Sequence, residues 1–222
     1  MKTFRKRDHN GEQIVHKYLC EYFYPFLMQK CREVTDKEKQ ISGADEEIYI
    51  NGKWRTIDEK TQLTRLGQNI TKKTTQCMEL LSKCRNGVYR EGWINNHTDF
   101  YLFTYVTKCK TNNPNNLNDK NQIENIRAVL ISKKSIEKMV KDNAFSLFDL
   151  KEIGKSLLTN TPDRETLHHK YKYLDNPNIW LCMTKETFLP EMPINIIVRW
   201  FLYEKYAWHV YNITPSEIIV LK

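Results

Sequence analysis

The side chains best suited to chemistry lie in the segment ISGADEEIYINGKWRTIDEKTQ, at residues 41–62. An Asn-Gly dipeptide stands at positions 51–52 between two strand-like runs, and it is a strong short-range signal for a β-hairpin. With this dipeptide as the loop, Ile50 pairs with Lys53, and the turn fixes the register of both strands. We therefore expect an antiparallel hairpin in which the position of each carboxylate is defined.

Two aspartates and one lysine share a face of this predicted hairpin. Asp45 falls directly opposite Asp58, and directly opposed residues have Cβ atoms about 4.5–5.5 Å apart. Lys60 lies two residues beyond Asp58 and points to the same side, whereas Glu59 points to the other side. Gly43 lies opposite Lys60 and leaves room there for a phosphate. Because opposed carboxylates repel each other and oxygen ligands suit Mg²⁺, the pattern predicts a magnesium site beside a fixed positive charge.

A simpler interpretation of the same charges stays open. Charged residues on a hairpin usually form a solvated face, and Glu46 and Glu47 fit that interpretation. A one-residue bulge would also shift the register and separate Asp45 from Asp58. The spacing alone therefore allows both a catalytic site and an ordinary surface.

The hairpin follows a predicted amphipathic helix. Apolar residues at helical spacing mark the run GEQIVHKYLCEYFYPFLM, residues 11–28. Asp8 or Asn10 can cap this helix, which places Glu12 in its first turn, where the helix dipole favours a carboxylate. Pro25 should kink or end the helix, because its nitrogen donates no hydrogen bond.

Further strands and helices complete an α/β chain with a mixed sheet. After the polar stretch 31–40 and the hairpin, we expect a third meander strand at 73–82 and a strand buried on both faces at 99–106. Later segments indicate strands at 128–132 and 178–184 and helices at 133–142 and 146–159. The aromatic run 194–211 is expected to be a helix, although its composition also allows a strand.

Composition places the chain among ordinary intracellular proteins. It has 222 residues, 40% of them hydrophobic, which is enough for the core of one domain. The first residues are basic but lack the apolar segment of a signal peptide, and no apolar run is long enough to cross a membrane. No two of the six cysteines have CxxC spacing, so we expect no zinc site and a reduced, cytoplasmic protein.

The order of these residues resembles the PD-(D/E)XK nuclease superfamily. Its signature is an aspartate, a spacer of variable length, and then an acid, any residue and a lysine. Asp45, Asp58 and Lys60 match that signature in this sequence. Glu12 resembles the helical acid that many members contribute to the metal site, and Gln62 resembles a glutamine that some branches carry after the lysine.

The resemblance implies a fold and an activity. The implied fold is a restriction-endonuclease-like αβββαβ core over about residues 8–107, with helix-rich additions over about 108–222, in a single domain. The implied activity is hydrolysis of phosphodiester bonds of nucleic acid, in-line, by a water activated by Mg²⁺ or Mn²⁺. Asp45 and Asp58 would hold the metal, with the backbone carbonyl of Glu59 and, through water, Glu12. One departure is Ala44, which stands where the superfamily pattern has a proline.

The expected partner is nucleic acid, DNA in the first place. The formal net charge is +8, a balance that favours a polyanion. The candidate phosphate contacts are Lys72, Lys73, Lys108, Lys110, Lys133 and Lys134. A homodimer is possible for an enzyme of this kind, and no membrane association is expected. The alternative function is a catalytically inactive nucleic-acid-binding protein that keeps the nuclease fold.

Overall fold

The structure is a computed structural model of the mixed α/β class. It describes residues 4–27, 31–37, 43–63, 75–84, 86–111, 114–143, 145–160, 171–173, 176–183 and 191–222. The chain forms two compact units. The first consists of Met1–Lys73, His97–Lys133 and Glu204–Lys222, and the second of Thr74–Asn96 and Lys134–Tyr203. The single domain expected from the sequence stays a prediction.

Strands outnumber helices among the described residues. The strands, in chain order, are β1 Cys31–Glu33, β2 Glu46–Ile50, β3 Lys53–Thr61, β4 Thr75–Cys84, β5 Tyr89–Glu91, β6 Phe100–Cys109, β7 Ile123–Ser132, β8 Tyr171–Tyr173, β9 Ile179–Met183, β10 Glu191–Arg199, β11 His209–Ile213 and β12 Ile218–Val220. The helices are α1 Phe4–Tyr18, α2 Tyr24–Leu27, α3 Lys133–Asn143, α4 Leu147–Asn160 and α5 Trp200–Tyr206. A π-helical turn, Leu19–Phe23, joins α1 to α2. No helix among the described residues has the length and apolar character needed to cross a membrane.

Helix α1 begins earlier than the sequence predicted. It starts at Phe4 rather than after a cap at Asp8 or Asn10, so Glu12 lies in the helix interior and not in the first turn. The physical reason is that arginine and lysine before these positions are good helix formers, and nothing before Gly11 interrupts the helix. The change to π geometry over Leu19–Phe23, just before Pro25, agrees with the kink expected at that proline.

The predicted hairpin is present, with the predicted register. Ile50 pairs with Lys53, and the pairing continues without a bulge to Glu46 opposite Ile57. The two loop residues have positive φ angles, 49° for Asn51 and 80° for Gly52. This geometry is that of a type I′ turn, whose twist matches that of the flanking strands.

The first unit contains a seven-stranded mixed sheet in the order β1-β2-β3-β6-β7-β11-β12. Strand β6 runs parallel to β3, and the other neighbours are antiparallel. Residues 101–106 of β6 are all buried, which confirms the strand predicted from its apolar run. One face of the sheet packs against the helical segment at the N-terminal side. The helical residues in that core are Val15, Tyr18, Leu19, Phe23 and Tyr24.

The expected αβββαβ order differs in its third strand. β4, predicted to extend the hairpin, belongs instead to the sheet of the second unit. The reason is that β6 occupies the free edge of β3 and satisfies its backbone hydrogen bonds. The third strand of the meander is β1, in the stretch that was expected to be a polar connection.

The second unit contains an antiparallel five-stranded sheet in the order β5-β4-β10-β9-β8. Helices α3 and α4 confirm the two predicted helices at 133–142 and 146–159. The segment 194–211, expected to be a helix, is instead the end of β10, helix α5 and the beginning of β11. Alternate burial of Ile194, Ile196 and Val198 explains the strand. The described residues after 107 are therefore a mixture of strands and helices and not the helix-rich addition that was expected.

The turn geometry predicts that replacing Gly52 lowers the free energy of unfolding. Nothing lies within 4 Å of a Cβ built on this residue, so Gly52→Ala meets only the penalty of its positive φ. We expect a loss of about 1–2 kcal/mol in the free energy of unfolding, measured by thermal or urea unfolding. Asn51→Gly is the matched control and should cause no such loss, because glycine adopts positive φ freely. Equal stability of both variants would contradict the turn assignment.

Candidate active site

The two aspartates predicted to face each other meet at the open end of the hairpin. Asp45 directly precedes β2, and its backbone amide donates to the carbonyl of Ile57 at 2.8 Å. The Asp45 carboxylate accepts a hydrogen bond of 2.7 Å from the backbone amide of Glu59. Asp58 lies between these contacts, and its carboxyl group is close enough to hydrogen-bond that of Asp45 when one of them is protonated. The two side chains are therefore neighbours, but the strand pairing ends at Glu46 opposite Ile57, so the directly opposed pair Asp45–Asp58 stays a prediction.

Lys60 completes this arrangement. Its ammonium group donates to Oδ1 of Asp58 and forms an ion pair with it. The Asp58 side chain is only 1% exposed, whereas that of Lys60 is 24% exposed. A buried carboxylate is costly without a positive partner, so Lys60 supplies the charge that allows Asp58 to be ionised at this position.

Burial dominates the electrostatics of both aspartates. It raises the pKa of Asp58 to about 7, and the neighbouring Asp45 adds to the rise while Lys60 opposes it. Burial also raises the pKa of Asp45, and the hydrogen bond from the Glu59 amide opposes that rise. Both shifts arise mainly from burial, and a divalent cation bound between the two carboxylates would oppose them.

Two buried side-chain oxygen atoms, one on β3 and one just after it, accept no hydrogen bond from the described residues. They are Oδ2 of Asp58 and Oε1 of Gln62, the residue whose side chain was expected to follow the lysine on the same face. Buried polar atoms without partners are uncommon and call for an explanation such as an ion or a water. Oxygen donors of this kind fit Mg²⁺ or Mn²⁺, so the residues present suit the predicted metal.

A pocket of about 370 Å³ connects the helix to the hairpin. Glu12 of α1, Asp45 and Lys60 all contribute to its wall, and the role of Glu12 as the helical acid of a metal site stays a prediction. Asp58 and Gln62 are not part of that wall. The pocket residues are Glu12, Gln13, His16, Glu33, Val34, Asp45, Glu59, Lys60 and Thr61.

Glu59 points away from Asp58, as strand alternation predicts, and it has partners of its own. Its carboxylate accepts hydrogen bonds from Nδ1 of His16, at 3.0 and 3.1 Å to the two oxygens, and from the hydroxyl of Tyr24. Hydrogen bonds with Cys20 and Glu59 raise the pKa of His16 to about 11. Glu59 therefore joins the strand to the helix through its side chain, while its backbone amide orients Asp45.

Two acids that were expected on a solvated face are buried. Glu46 is 3% and Glu47 6% exposed. Arg32 lies opposite Glu47 in β1 and donates to it at 2.8 Å, and the Cys31 thiol donates to Glu46 at 3.4 Å. Burial is the main cause that raises the pKa of Glu46 to about 7. The expectation was wrong because β1, which covers these acids, was not predicted as a strand.

The lysines proposed for phosphate contacts are only partly described. Lys108, Lys110 and Lys134 are exposed, and Lys133 is half-buried. Lys108 lies 3.5 Å from Glu124, a separation at which their charges partly offset each other. Lys72 and Lys73 lie outside the described residues.

Comparisons with protein-family models, with curated proteins and with solved structures found no match for this chain. Membership of the PD-(D/E)XK superfamily therefore stays a prediction. It is based on the order of the motif residues and on the hairpin geometry that brings Asp45, Asp58 and Lys60 together.

The raised pKa of Asp58 predicts that the stability of the metal-free protein depends on pH. Its pKa in the folded chain, about 7, is higher than its ordinary value of 3.8. The folded state thus retains a proton that the unfolded state releases, and stability falls as the pH rises from about 4 to about 7. Asp58→Asn imitates the protonated form, so it should be more stable than the wild type at pH 8, by on the order of 4 kcal/mol.

The measurement is thermal unfolding in a chelating buffer between pH 4 and pH 8. The advantage of Asp58→Asn should disappear towards pH 4, where the wild-type side chain is itself protonated. Asp36→Asn, a substitution at an exposed position of the same unit, is the control. A difference between Asp58→Asn and wild type that does not change with pH would contradict the prediction.

Proposed function

We propose that this protein is a metal-dependent nuclease that hydrolyses phosphodiester bonds of nucleic acid, DNA in the first place. The observation that supports the proposal is the proximity of the Asp45, Asp58 and Lys60 side chains at the open end of the hairpin. A stable fold gains little from two adjacent carboxyl groups with raised pKa values, and such groups are concentrated at functional sites.

The residues that would hold the metal are the two aspartates, with help from their surroundings. Asp45 and Asp58 offer carboxylate oxygens, and the backbone carbonyl of Glu59 and, through water, Glu12 complete the proposed set. When bound, Mg²⁺ or Mn²⁺ polarises the scissile phosphate and lowers the pKa of a water molecule. The hydrogen bond from the Glu59 amide keeps the Asp45 carboxylate oriented for this task.

Lys60 is the residue that acts on the reacting groups. Its partly exposed ammonium group lies in the pocket beside Asp45, where it can orient the attacking water and offset charge on the phosphate oxygens. The water oxygen forms a bond to phosphorus as the bond to the leaving oxygen breaks in line, and the water proton passes to a base or to solvent. The resemblance to the superfamily implies a 5′-phosphate and a 3′-hydroxyl as products.

The charge of the chain supports a polyanionic substrate. Its formal net charge of +8 attracts nucleic acid without sequence preference. Gly43 has a φ of 91°, which favours glycine. Its predicted position opposite Lys60 would leave space there for a phosphate. These features are compatible with the alternative, an inactive nucleic-acid-binding protein, so turnover is the property that separates the two functions.

Metal binding should depend on the aspartate pair. We expect Asp45→Asn to weaken Mn²⁺ binding in isothermal titration calorimetry by at least about tenfold, because a neutral amide replaces a charged ligand. Far-UV circular dichroism should show an unchanged fold. Asp36→Asn again serves as the control, with an unchanged affinity. Equal Mn²⁺ affinity of Asp45→Asn and the wild type would exclude Asp45 as a ligand.

Lys60 should matter for turnover more than for affinity. It is one of 35 basic residues, so Lys60→Ala should bind DNA within a few-fold of the wild type. Its cleavage rate should fall by at least about a hundredfold, the typical cost of removing a group that stabilises charge in the transition state. Lys60→Arg should not restore the rate, because a guanidinium group does not release a proton near neutral pH.

The test is a single-turnover assay with saturating enzyme and Mg²⁺ on supercoiled, linear, branched and single-stranded substrates. Lys53→Ala is the matched control, because Lys53 lies on the same strand and is exposed at the turn. Lys60→Ala cleaving at the wild-type rate would remove Lys60 from the mechanism. Binding of DNA by wild-type protein without cleavage of any substrate would favour the inactive binding protein.

A further inference from the structure

A second group of metal-binding side chains lies on the helical side of the hairpin. His16 and Cys20 come from the helical segment, Glu46 from β2 and Cys31 from β1. One ligand atom from each of His16, Cys20 and Glu46 lies within 4.8 Å of the others. None of these residues has a part in the proposed cleavage reaction.

We propose that His16, Cys20 and Glu46 form a zinc site, in which the thiol of Cys31 orients Glu46 by a hydrogen bond. The ligand types favour this ion, since imidazole, thiolate and carboxylate together suit Zn²⁺ better than Mg²⁺, which binds through oxygen. Its ligands differ from those of the Asp45–Asp58 pair, which offers oxygen atoms only, although His16 lines the same pocket as Asp45.

The distances between ligand atoms agree with tetrahedral zinc. Nε2 of His16 lies 3.5 Å from Sγ of Cys20. Zn–N bonds of about 2.0–2.1 Å and Zn–S bonds of about 2.3 Å at a tetrahedral angle separate the two atoms by about 3.6 Å. The thiol of Cys31 donates to Oε2 of Glu46 at 3.4 Å and so holds this carboxylate from outside the ligand set.

The orientation of His16 is also that of a zinc ligand. Its Nδ1 donates to the carboxylate of Glu59, at 3.0 and 3.1 Å to the two oxygens, so Nε2 is the nitrogen directed at Cys20. Zinc-binding histidines typically make this second hydrogen bond to a carboxylate, which fixes the ring and its tautomer. Cys20 lies one helical turn after His16, so both ligands share a face of the helix.

Charge and access favour a divalent cation at this site. Glu46 and Glu59 are both buried, with two thiols beside them, and one imidazole is the basic side chain in this cluster. Zn²⁺ would offset this negative charge at the point where the helix meets β1 and β2. Cys20 is exposed, so an ion can enter from solvent without unfolding the unit.

This site was not expected from the sequence because its ligands come from the helical segment and from β2. The spacing of 16, 20 and 46 matches no CxxC pattern. Zinc would join the helical segment to β2. Its binding should therefore raise the unfolding temperature of the protein, since an ion that binds only the folded state stabilises it.

The experiment titrates chelator-treated protein with Co²⁺, a probe for zinc sites, and then with Zn²⁺. We expect a near-ultraviolet thiolate-to-cobalt absorption band and its loss on addition of Zn²⁺. Cys20→Ser should lose the band and bind Zn²⁺ at least about a hundredfold more weakly, because loss of a direct ligand costs more than the 10- to 100-fold typical of an outer-shell partner. Glu59→Gln should weaken binding within that smaller range.

Two controls separate this site from the others. Cys84→Ser, a substitution of a half-buried cysteine in the second unit, should keep the band and the Zn²⁺ affinity. Asp45→Asn should lose Mn²⁺ affinity but keep Zn²⁺ affinity, so failure of the nuclease proposal leaves this result intact. Cys20→Ser binding Zn²⁺ as tightly as the wild type, or Co²⁺ bound without a thiolate band, would overturn the proposal. Because Cys20 is exposed, a folded variant is expected, and circular dichroism verifies it.

Discussion

The pairing of β2 with β3 is the constraint on which the rest of the first unit depends. It places acidic side chains on both faces of two strands, and each buried acid then requires a partner on that face. Asp58 is paired with Lys60, and Glu59 with His16. A shift of one residue would exchange the faces and leave each buried charge without its partner. The type I′ turn at Asn51 and Gly52 therefore fixes the electrostatics as well as the geometry.

The N-terminal helical segment supplies the other half of both sites. Glu12, His16 and Cys20 follow one another at intervals of one turn, so they lie along one face of the helix. Glu12 reaches the pocket that contains Asp45 and Lys60, while Cys20 reaches the buried Glu46. The apolar residues of the same segment pack on the sheet and hold this face in position. A single helix thus positions ligands of two different chemical kinds.

The sequence predicted what depends on local rules and missed what depends on distant partners. The hairpin register, the buried strand β6 and helices α3 and α4 follow from a turn dipeptide, an apolar run and helical spacing. Strand β1 has only three residues, and their sequence shows no strand periodicity. It forms because its backbone pairs with the edge of β2. Because β1 was not predicted, the burial of Glu46 and Glu47 was not predicted either. The predicted position of β4 was wrong for a related reason. Strand β6, which comes later in the chain, pairs with the edge of β3 that β4 was expected to occupy.

Glu59 is the residue through which the two proposed sites can influence each other. Its backbone amide holds Asp45 on one side of β3, and its carboxylate holds His16 on the other. The ligand sets differ enough to keep the ions apart, because oxygen donors favour Mg²⁺ and the imidazole and thiolate favour Zn²⁺. An ion that orders the His16 ring also orders Glu59, to which His16 is hydrogen-bonded. The Glu59 amide then restricts the Asp45 side chain before a second ion binds, so Asp45 loses less conformational entropy on binding that ion. Such coupling is reciprocal, so occupation of either site would favour the other by the same free energy.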